Sequence, residues 1–245
     1  MNLIIDIGNT KIKTAVFDKN NKLQHIQTVL VENFFDVINF VLKEFPVQYA
    51  MISQVGKPVK GVKNFFRQKN IPLYFVQARM KLPFEIAYQS PETIGADRLG
   101  LVAGAWSKTP GKNLLIIDAG TCITYDFIDK NAVYHGGAIS PGIYLRYKSL
   151  NDYTANLPLL KIPEKHPVEL TGKNTESSIQ SGVIQGVVNE IEGFIVKYNL
   201  KYPDFTVYLT GGDQKVLDRY IKNKIFVSSK FLLLEGINYL LNLNK

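Results

Sequence analysis

One cysteine, Cys122, stands among 245 residues, so no intrachain disulfide can hold the fold together. A chain of this length buries enough apolar surface to need none, and so few thiols fit a reducing compartment. Histidine is also scarce: His25, His135 and His166 are scattered, with none of the spacings of a metal site. No apolar run approaches the roughly 20 residues that cross a bilayer. The first such run, in MNLIIDIGNT, is too short for a signal peptide and is interrupted by Asp6. A cytoplasmic protein with no membrane attachment is expected. The net charge of +8 comes from lysines spread along the whole chain. It lacks the Arg-rich block with interleaved aromatics that nucleic acid calls for, so no nucleic-acid partner is expected. A diffuse positive field suits small anions instead. Several motifs are absent as well. There is no G-x-x-x-x-G-K-[ST], no G-x-G-x-x-G after a strand, no Cys–His pair and no G-x-S-x-G. P-loop phosphoryl transfer, dinucleotide binding of that type and acyl transfer are thereby disfavoured.

What is present reads as one α/β pattern written twice. Asn2 to Ile7 is an apolar, β-branched run closed by Gly8 and Asn9, the signature of a buried strand ending in a turn. Strands at Lys13–Asp18 and Lys22–Leu30 follow, then a helix at Phe34–Phe45 that stops before Pro46. A strand at Tyr49–Ser53, a helix at Lys60–Lys69, a strand at Leu73–Val76 and a helix at Ala96–Trp106 complete the half. Lys108-Thr109-Pro110-Gly111-Lys112-Asn113 is the best linker in the chain. Beyond it the order restarts: strands at Leu114–Ile117, Ile123–Ile128 and Val133–Ile139, then helices from Ile143 and at Thr175–Tyr198. A strand at Phe205–Leu209 and helices at Val216–Ile221 and Phe231–Leu241 close it. Asp6 and Asp118 lie 112 positions apart, and the Asp-Lys-Asn turns at Asp18 and Asp129 lie 111 apart. An internal duplication is expected, with lobes at 1–110 and 111–245.

The chemistry gathers at the ends of the strands. In Asp6-Ile7-Gly8-Asn9-Thr10-Lys11-Ile12-Lys13, Gly8 lets an anion approach the backbone, and the amides of a tight turn converge on it. Asn9 and Thr10 add donors and Lys13 a point charge. Asp6 repels a phosphate, so its natural partner is Mg²⁺, held through water. Asp118-Ala119-Gly120-Thr121, followed by Thr124 and Asp126, repeats these devices. Two such loops suit an ATP-dependent small-molecule kinase. Gly136-Gly137-Ala138-Ile139-Ser140-Pro141-Gly142 and Thr210-Gly211-Gly212-Asp213 read as glycine turns at helix entries, where anions sit well. In the segment Tyr88 to Arg98, Asp97 has the chemistry of a base that accepts a hydroxyl proton. Arg98 beside it suits a bidentate grip on a carboxylate. An acid in a helix's first turn also complements the dipole with no catalytic duty.

The set DIGNTKIK at Asp6, PETIGADR at Pro91, DAGTCITYD at Asp118, GGAISPG at Gly136, GKNTESSIQSG at Gly172 and TGGD at Thr210 closely resembles the type III pantothenate kinases. That family lies within the superfamily of acetate kinase, sugar kinases, heat-shock ATPases and actin. The resemblance covers nearly the whole chain. It implies two duplicated ribonuclease H-like lobes with mixed sheets flanked by helices and a nucleotide cleft between them. It also implies phosphorylation of pantothenate by ATP, the first step toward coenzyme A. On matching positions, Asp97 is the implied base, and Tyr88, Gly95, Ala96, Arg98 and Thr175 join it in lining the pantothenate pocket. Asp6, Ile7, Gly8, Asn9, Thr10, Lys11, Ile12, Lys13 and Thr121 bind ATP. Asp118 holds a monovalent cation, K⁺ or NH₄⁺, required besides Mg²⁺, and the active form is a homodimer. Cys122 stands where the family has alanine, and Ser53-Gln54-Val55-Gly56-Lys57-Pro58 departs from the family's Ser-Val-Val-Pro-like segment. A non-enzymatic transcription accessory factor of the same family and a sugar kinase of the superfamily are the alternative readings.

Overall fold

The computed structural model describes residues 1–8, 11–163, 168–221 and 226–245. It divides into two compact units, and each has its own sheet and core.

Unit 1 comprises Met1–Gly111, Ala132–Tyr134 and Phe231–Lys245. Its sheet begins with β1 (Asn2–Ile7), β2 (Lys11–Phe17) and β3 (Leu23–Leu30), joined in antiparallel pairs. Helix α1 (Phe34–Glu44) crosses over to β4 (Tyr49–Gln54), and α2 (Val62–Gln68) to β5 (Leu73–Phe75); both of these strands are parallel to their neighbours. The strand order is β3-β2-β1-β4-β5. Every residue of β1 is buried, as a central strand covered on both faces must be, which is why it reads as an unbroken apolar run. Leu3, Ile5 and Ile7 on one face pack with Phe34, Ile38 and Val41 of α1 and with Phe66 of α2. Strand β2 begins at Lys11, two residues before the sequence suggests, because Ile7 pairs with Ile12 and carries the ladder to the turn.

Helices α3 (Ala96–Lys108) and α7 (Leu232–Asn244) also belong to this unit. They cross at glycines: a Cβ at residue 236 would lie 1.9 Å from the Gly100 carbonyl oxygen, and one at residue 104 would lie 2.4 Å from that of Leu232. Their backbones therefore touch where any side chain would hold them apart. Asparagines pin α7 to β1. Asn2 Nδ2 donates to Asn238 Oδ1 at 2.7 Å, and Asn238 Nδ2 donates to Asn21 Oδ1 at 2.9 Å. The two-residue β6 (Glu85–Ile86) pairs with Val133–Tyr134.

Unit 2 comprises Lys112–Asn131 and His135–Lys230. Its strands are β7 (Asn113–Ala119), β8 (Cys122–Ile128), β9 (Val133–Pro141), β10 (Phe205–Thr210) and β11 (Phe226–Ser228). The sheet runs in the order β11-β10-β7-β8-β9-β6, and its strands from β11 to β9 repeat the order of unit 1 once each is matched to its counterpart. The first pair is antiparallel and the crossover strands are parallel in both units. Helices α4 (Ile143–Asp152), α5 (Thr175–Lys201) and α6 (Gln214–Leu217) complete it. Leu115 and Ile117 pack against Ile184, Val187 and Ile191 of α5. Asn174 caps α5, accepting from the Ser177 amide at 2.8 Å, and the Ser177 hydroxyl returns the bond to the cap. The chain is thus an α/β protein with two mixed sheets flanked by helices.

Of the two glycine segments, 211–213 is the expected turn into α6, whereas the first stays extended two residues beyond the expected strand end at Ile139. Gly136 to Pro141 continue β9, and a Cβ at residue 137 would lie 1.5 Å from the Tyr125 carbonyl oxygen. Gly211, at φ +102°, is held over Ala119, whose carbonyl oxygen a Cβ would meet at 2.2 Å. Both glycines serve close backbone approach within the protein.

Candidate active site

Asp6 ends β1 with its carboxylate almost fully buried, and two groups across the sheet answer it. Lys13 is its register partner on β2 and Ser53 on β4. The fully buried Ser53 hydroxyl donates to Asp6 Oδ1 at 3.2 Å. Burial pushes the Asp6 carboxyl up to about 6, and the negative charge of Asp97 adds to that, while Lys13 and Ser53 oppose it. The turn that follows is closed by the Gly8 amide donating to the Lys11 carbonyl at 3.0 Å. Ile7 and Ile12 point into the core at 1% and 0% exposure, so only their backbones are free to face a ligand. Lys11 and Lys13 are exposed. Asn9 and Thr10 lie outside the described residues, as does His166.

Asp97 is the second residue of α3. Gly95 precedes the helix, and a Cβ there would lie 2.5 Å from Asp97 Oδ1, so glycine leaves the carboxylate its room. Asp97 Oδ1 accepts from the Arg98 amide at 2.8 Å. Burial raises the Asp97 carboxyl above the usual range, and Arg98 holds it partly down through that bond and its charge. The Arg98 guanidinium is buried and lies 5.9 Å from the Tyr88 ring centroid, within cation–π range. Unit 1 therefore brings Asp6, Asp97, Arg98, Tyr88, Gly95 and Ala96 together, with the buried Asp6 and half-buried Asp97 carboxylates in electrostatic reach of each other. Such a pair, both pushed toward protonation by burial, marks candidate acid–base or cation chemistry. A cavity of ≈ 600 Å³ opens beside them. Its walls are the end of β4 at Gln54–Val55, the stretch from Val76 to Arg79, and the entry to α3 from Pro91 to Ala96.

Unit 2 holds the remaining candidates. Asp118, half-buried near the end of β7, is register partner to Thr124 and Thr210. Thr121 is exposed in the following turn, which the Gly120 amide closes on the Cys122 carbonyl at 3.0 Å. Thr175 opens α5 and lines a separate cavity of ≈ 720 Å³ with Arg146 and Ser178. Across α4, α5, β8 and β9, Glu190 accepts from Tyr125, Ser140 and Arg146, and these bonds hold its carboxyl below the usual range despite burial.

The sequence reading passed over Ser53. The duplication holds the signal that finds it: a hydroxyl residue, Ser53 or Thr210, sits opposite the aspartate in each half. It also passed over Asp213, whose carboxyl burial lifts to about 6 and whose amide donates to the Ala119 carbonyl. Among the described residues no three His, Cys, Asp or Glu cluster as an all-protein metal cage. The donor set instead fits a Mg²⁺ that keeps water and phosphate ligands. One buried carboxylate, its charge incompletely compensated, stands at the mouth of a turn.

The family model described as type III pantothenate kinase matches residues 2–197. The type III pantothenate kinase of Christiangramia forsetii is 47% identical over 246 residues, covering 100% of this chain and 99% of that one. Those of Flavobacterium psychrophilum and Bacteroides fragilis are 44% and 39% identical, each covering 100% of this chain and at least 98% of theirs. Among solved structures, one described as a Baf family transcriptional activator from Campylobacter jejuni superposes with a TM-score of 0.64 at 22% identity, covering 98% of this chain and 97% of that one. A glucokinase from an Antarctic psychrotroph gives 0.54 at 12% identity, covering 99% of both chains. Both are likenesses of fold.

Proposed function

The chain belongs to the type III pantothenate kinase family, and from that we infer that it phosphorylates the primary hydroxyl of pantothenate with ATP, giving 4'-phosphopantothenate in the first step of coenzyme A biosynthesis. It is a phosphotransferase of the alcohol-accepting kind, and ATP is its co-substrate. The observation that carries the residue assignment is the half-buried Asp97 carboxylate at the head of α3. It stands beside a cavity of ≈ 600 Å³ and within the field of Asp6.

In the proposed mechanism, Asp97 accepts the proton of the pantothenate hydroxyl as its oxygen attacks the γ-phosphorus. The bond to the bridging oxygen breaks, and ADP leaves with that electron pair. Burial favours this role, because a carboxyl with a raised pKa binds the arriving proton more strongly. Arg98 opposes that rise through its amide bond and its charge. Within unit 1, Tyr88, Gly95, Ala96 and Arg98 are assigned to pantothenate and the turn from Asp6 to Lys13 to ATP; within unit 2, Thr175 is assigned to pantothenate and Thr121 to ATP. Mg²⁺, bound, neutralises phosphate charge. Asp6, oriented by Ser53, would hold it through water, and Asp118 would take the monovalent cation, K⁺ or NH₄⁺. The proposed duplicated segments are 1–110 and 111–245; they differ from the compact units in that Ala132–Tyr134 and Phe231–Lys245 pack with unit 1. The working form is a homodimer in the cytoplasm, and no described helix is long and apolar enough to cross a membrane.

A coupled assay of ADP release, run with pantothenate and a panel of sugars, tests the reading. Turnover of pantothenate in Mg²⁺, K⁺ and ample ATP is expected. None there would overturn it, and turnover of a sugar instead would move the protein to the sugar kinases. Sedimentation of the purified protein at the dimer mass tests the assembly.

A further inference from the structure

We propose that Arg79 is a specificity-determining residue, seating the carboxylate at the end of pantothenate remote from the hydroxyl that is phosphorylated. The inference rests on the function given above and goes beyond it, because neither Arg79 nor its segment belongs to the motifs that mark the family resemblance.

The geometry carries it. The ≈ 600 Å³ cavity of unit 1 is bounded on one side by Gly95 and Ala96, the residues that lead into Asp97. A substrate with its hydroxyl at Asp97 has this cavity for its remaining length. Arg79 is the one basic side chain lining it, is exposed, and makes no ion pair among the described residues. Arg98 is placed differently. It is 5% exposed, lies against the Tyr88 ring and spends its charge on Asp97. The rest of the wall matches the middle of the substrate. Val55, Val76 and Ile94 offer apolar contact for a pair of methyl groups, and Gln54 and Gln77 offer amides to an amide. Glu92 is the one acid on the wall, and it disfavours a carboxylate placed near it. A guanidinium presents two parallel N–H groups to a carboxylate, a match that an ammonium lacks.

The test compares two acceptors: pantothenate and its alcohol analogue, in which CH₂OH replaces the terminal carboxylate. Steady-state kinetics are measured for the full chain and for Arg79→Ala, Arg79→Gln, Arg79→Lys and Glu92→Gln. Arg79→Ala and Arg79→Gln should raise KM for pantothenate by about ten- to a hundredfold, the loss of a charge-assisted pair, with kcat held. KM for the alcohol should not move. Arg79→Lys should recover part of the loss, and Glu92→Gln should lower KM for pantothenate alone. Equal effects of the Arg79 variants on both acceptors, or no effect on either, overturn the proposal while the wild type still phosphorylates pantothenate. A wild type inert toward pantothenate overturns the function and this inference together. The substituted side chain is exposed, and unchanged thermal melting confirms that the variants fold.

Discussion

At the scale of single residues, the proposed mechanism gives two carboxylates different tasks, and their environments differ. The proposed base, Asp97, is half-buried on the first turn of α3. Asp97→Asn, which keeps the shape and removes the base, should lower kcat by roughly 10²–10⁴-fold with ATP binding retained. Unchanged kcat in the coupled assay would leave Asp97 with only its part in the helix's first turn. Because burial raises its pKa, the acid limb of the kcat profile should also fall at a higher pH than an ordinary carboxylate gives. Asp6 bears a cost in the ligand-free protein. Its folded pKa of about 6 lies above the ordinary 3.8, so the folded state holds this proton more tightly than the unfolded one. Stability therefore falls as pH rises from about 4 to about 6, and the penalty is complete above that window. Asp6→Asn should raise the melting temperature at pH 7.5, the gain reaching at most about 3 kcal/mol, and the advantage should vanish below about pH 4. The same variant should lose turnover. A lower melting temperature at pH 7.5 would show that Lys13 and Ser53 more than offset the burial.

At the scale of elements, the crossing of α3 and α7 fixes where Asp97 stands. The two helices meet through Gly100, Gly104 and Gly236; at Gly104 and Gly236 neighbouring backbone atoms are closer than a Cβ tolerates, and at Gly100 the Leu233 side chain is. Gly236→Val must push the helices apart, because the obstruction is the rigid Gly100 carbonyl at 1.9 Å. A loss of about 1–3 kcal/mol or more in denaturant unfolding is expected. Since Asp97 is on the first turn of α3, kcat should fall at temperatures where the variant is still folded. A variant with wild-type stability would mean that the crossing relaxes without strain. Strand ends show the same division of labour. A hydroxyl stands beside each aspartate, but Ser53 donates to Asp6 whereas Thr210 donates to the Ser229 carbonyl. The two halves have kept a layout and diverged in its use.

At the scale of the molecule, the net charge of +8 acts on two anionic substrates at once. Raising an inert salt of a large organic cation at fixed K⁺ and Mg²⁺ should lower kcat/KM for both by screening the field. Exchanging K⁺ for that organic cation at constant ionic strength isolates the second effect. ATP use should fall if Asp118 takes a monovalent cation, and indifference to the exchange would remove that role. Much of this scale was legible beforehand. The turns 111 and 112 residues apart foretold a repeated strand–turn–strand unit, and five strands of each sheet share one order. The short β6 and β11 escaped notice because two or three residues are too few for a periodicity. The GGAISPG segment was expected to leave its strand at Ile139 and enter a helix near Ile143, and β9 runs on to Pro141 before that helix. Here Gly137 sits in β9 so that Tyr125 can approach.

The sequence by itself determined the strands, since a central strand covered on both faces must be apolar throughout. It determined the paired Asp-x-Gly turns and the acid at the head of α3, because local chemistry suffices to specify a turn or a helix entry. Only the tertiary structure decided what stands around them. Ser53 comes from 47 residues away to bond Asp6. The C-terminal α7 returns to pack on α3, and Arg79 arrives on the wall of the cavity beside Asp97. The reason is physical: burial and proximity set a carboxylate's proton affinity and choose the cation that meets a substrate. Both are products of long-range packing that no run of neighbouring residues contains.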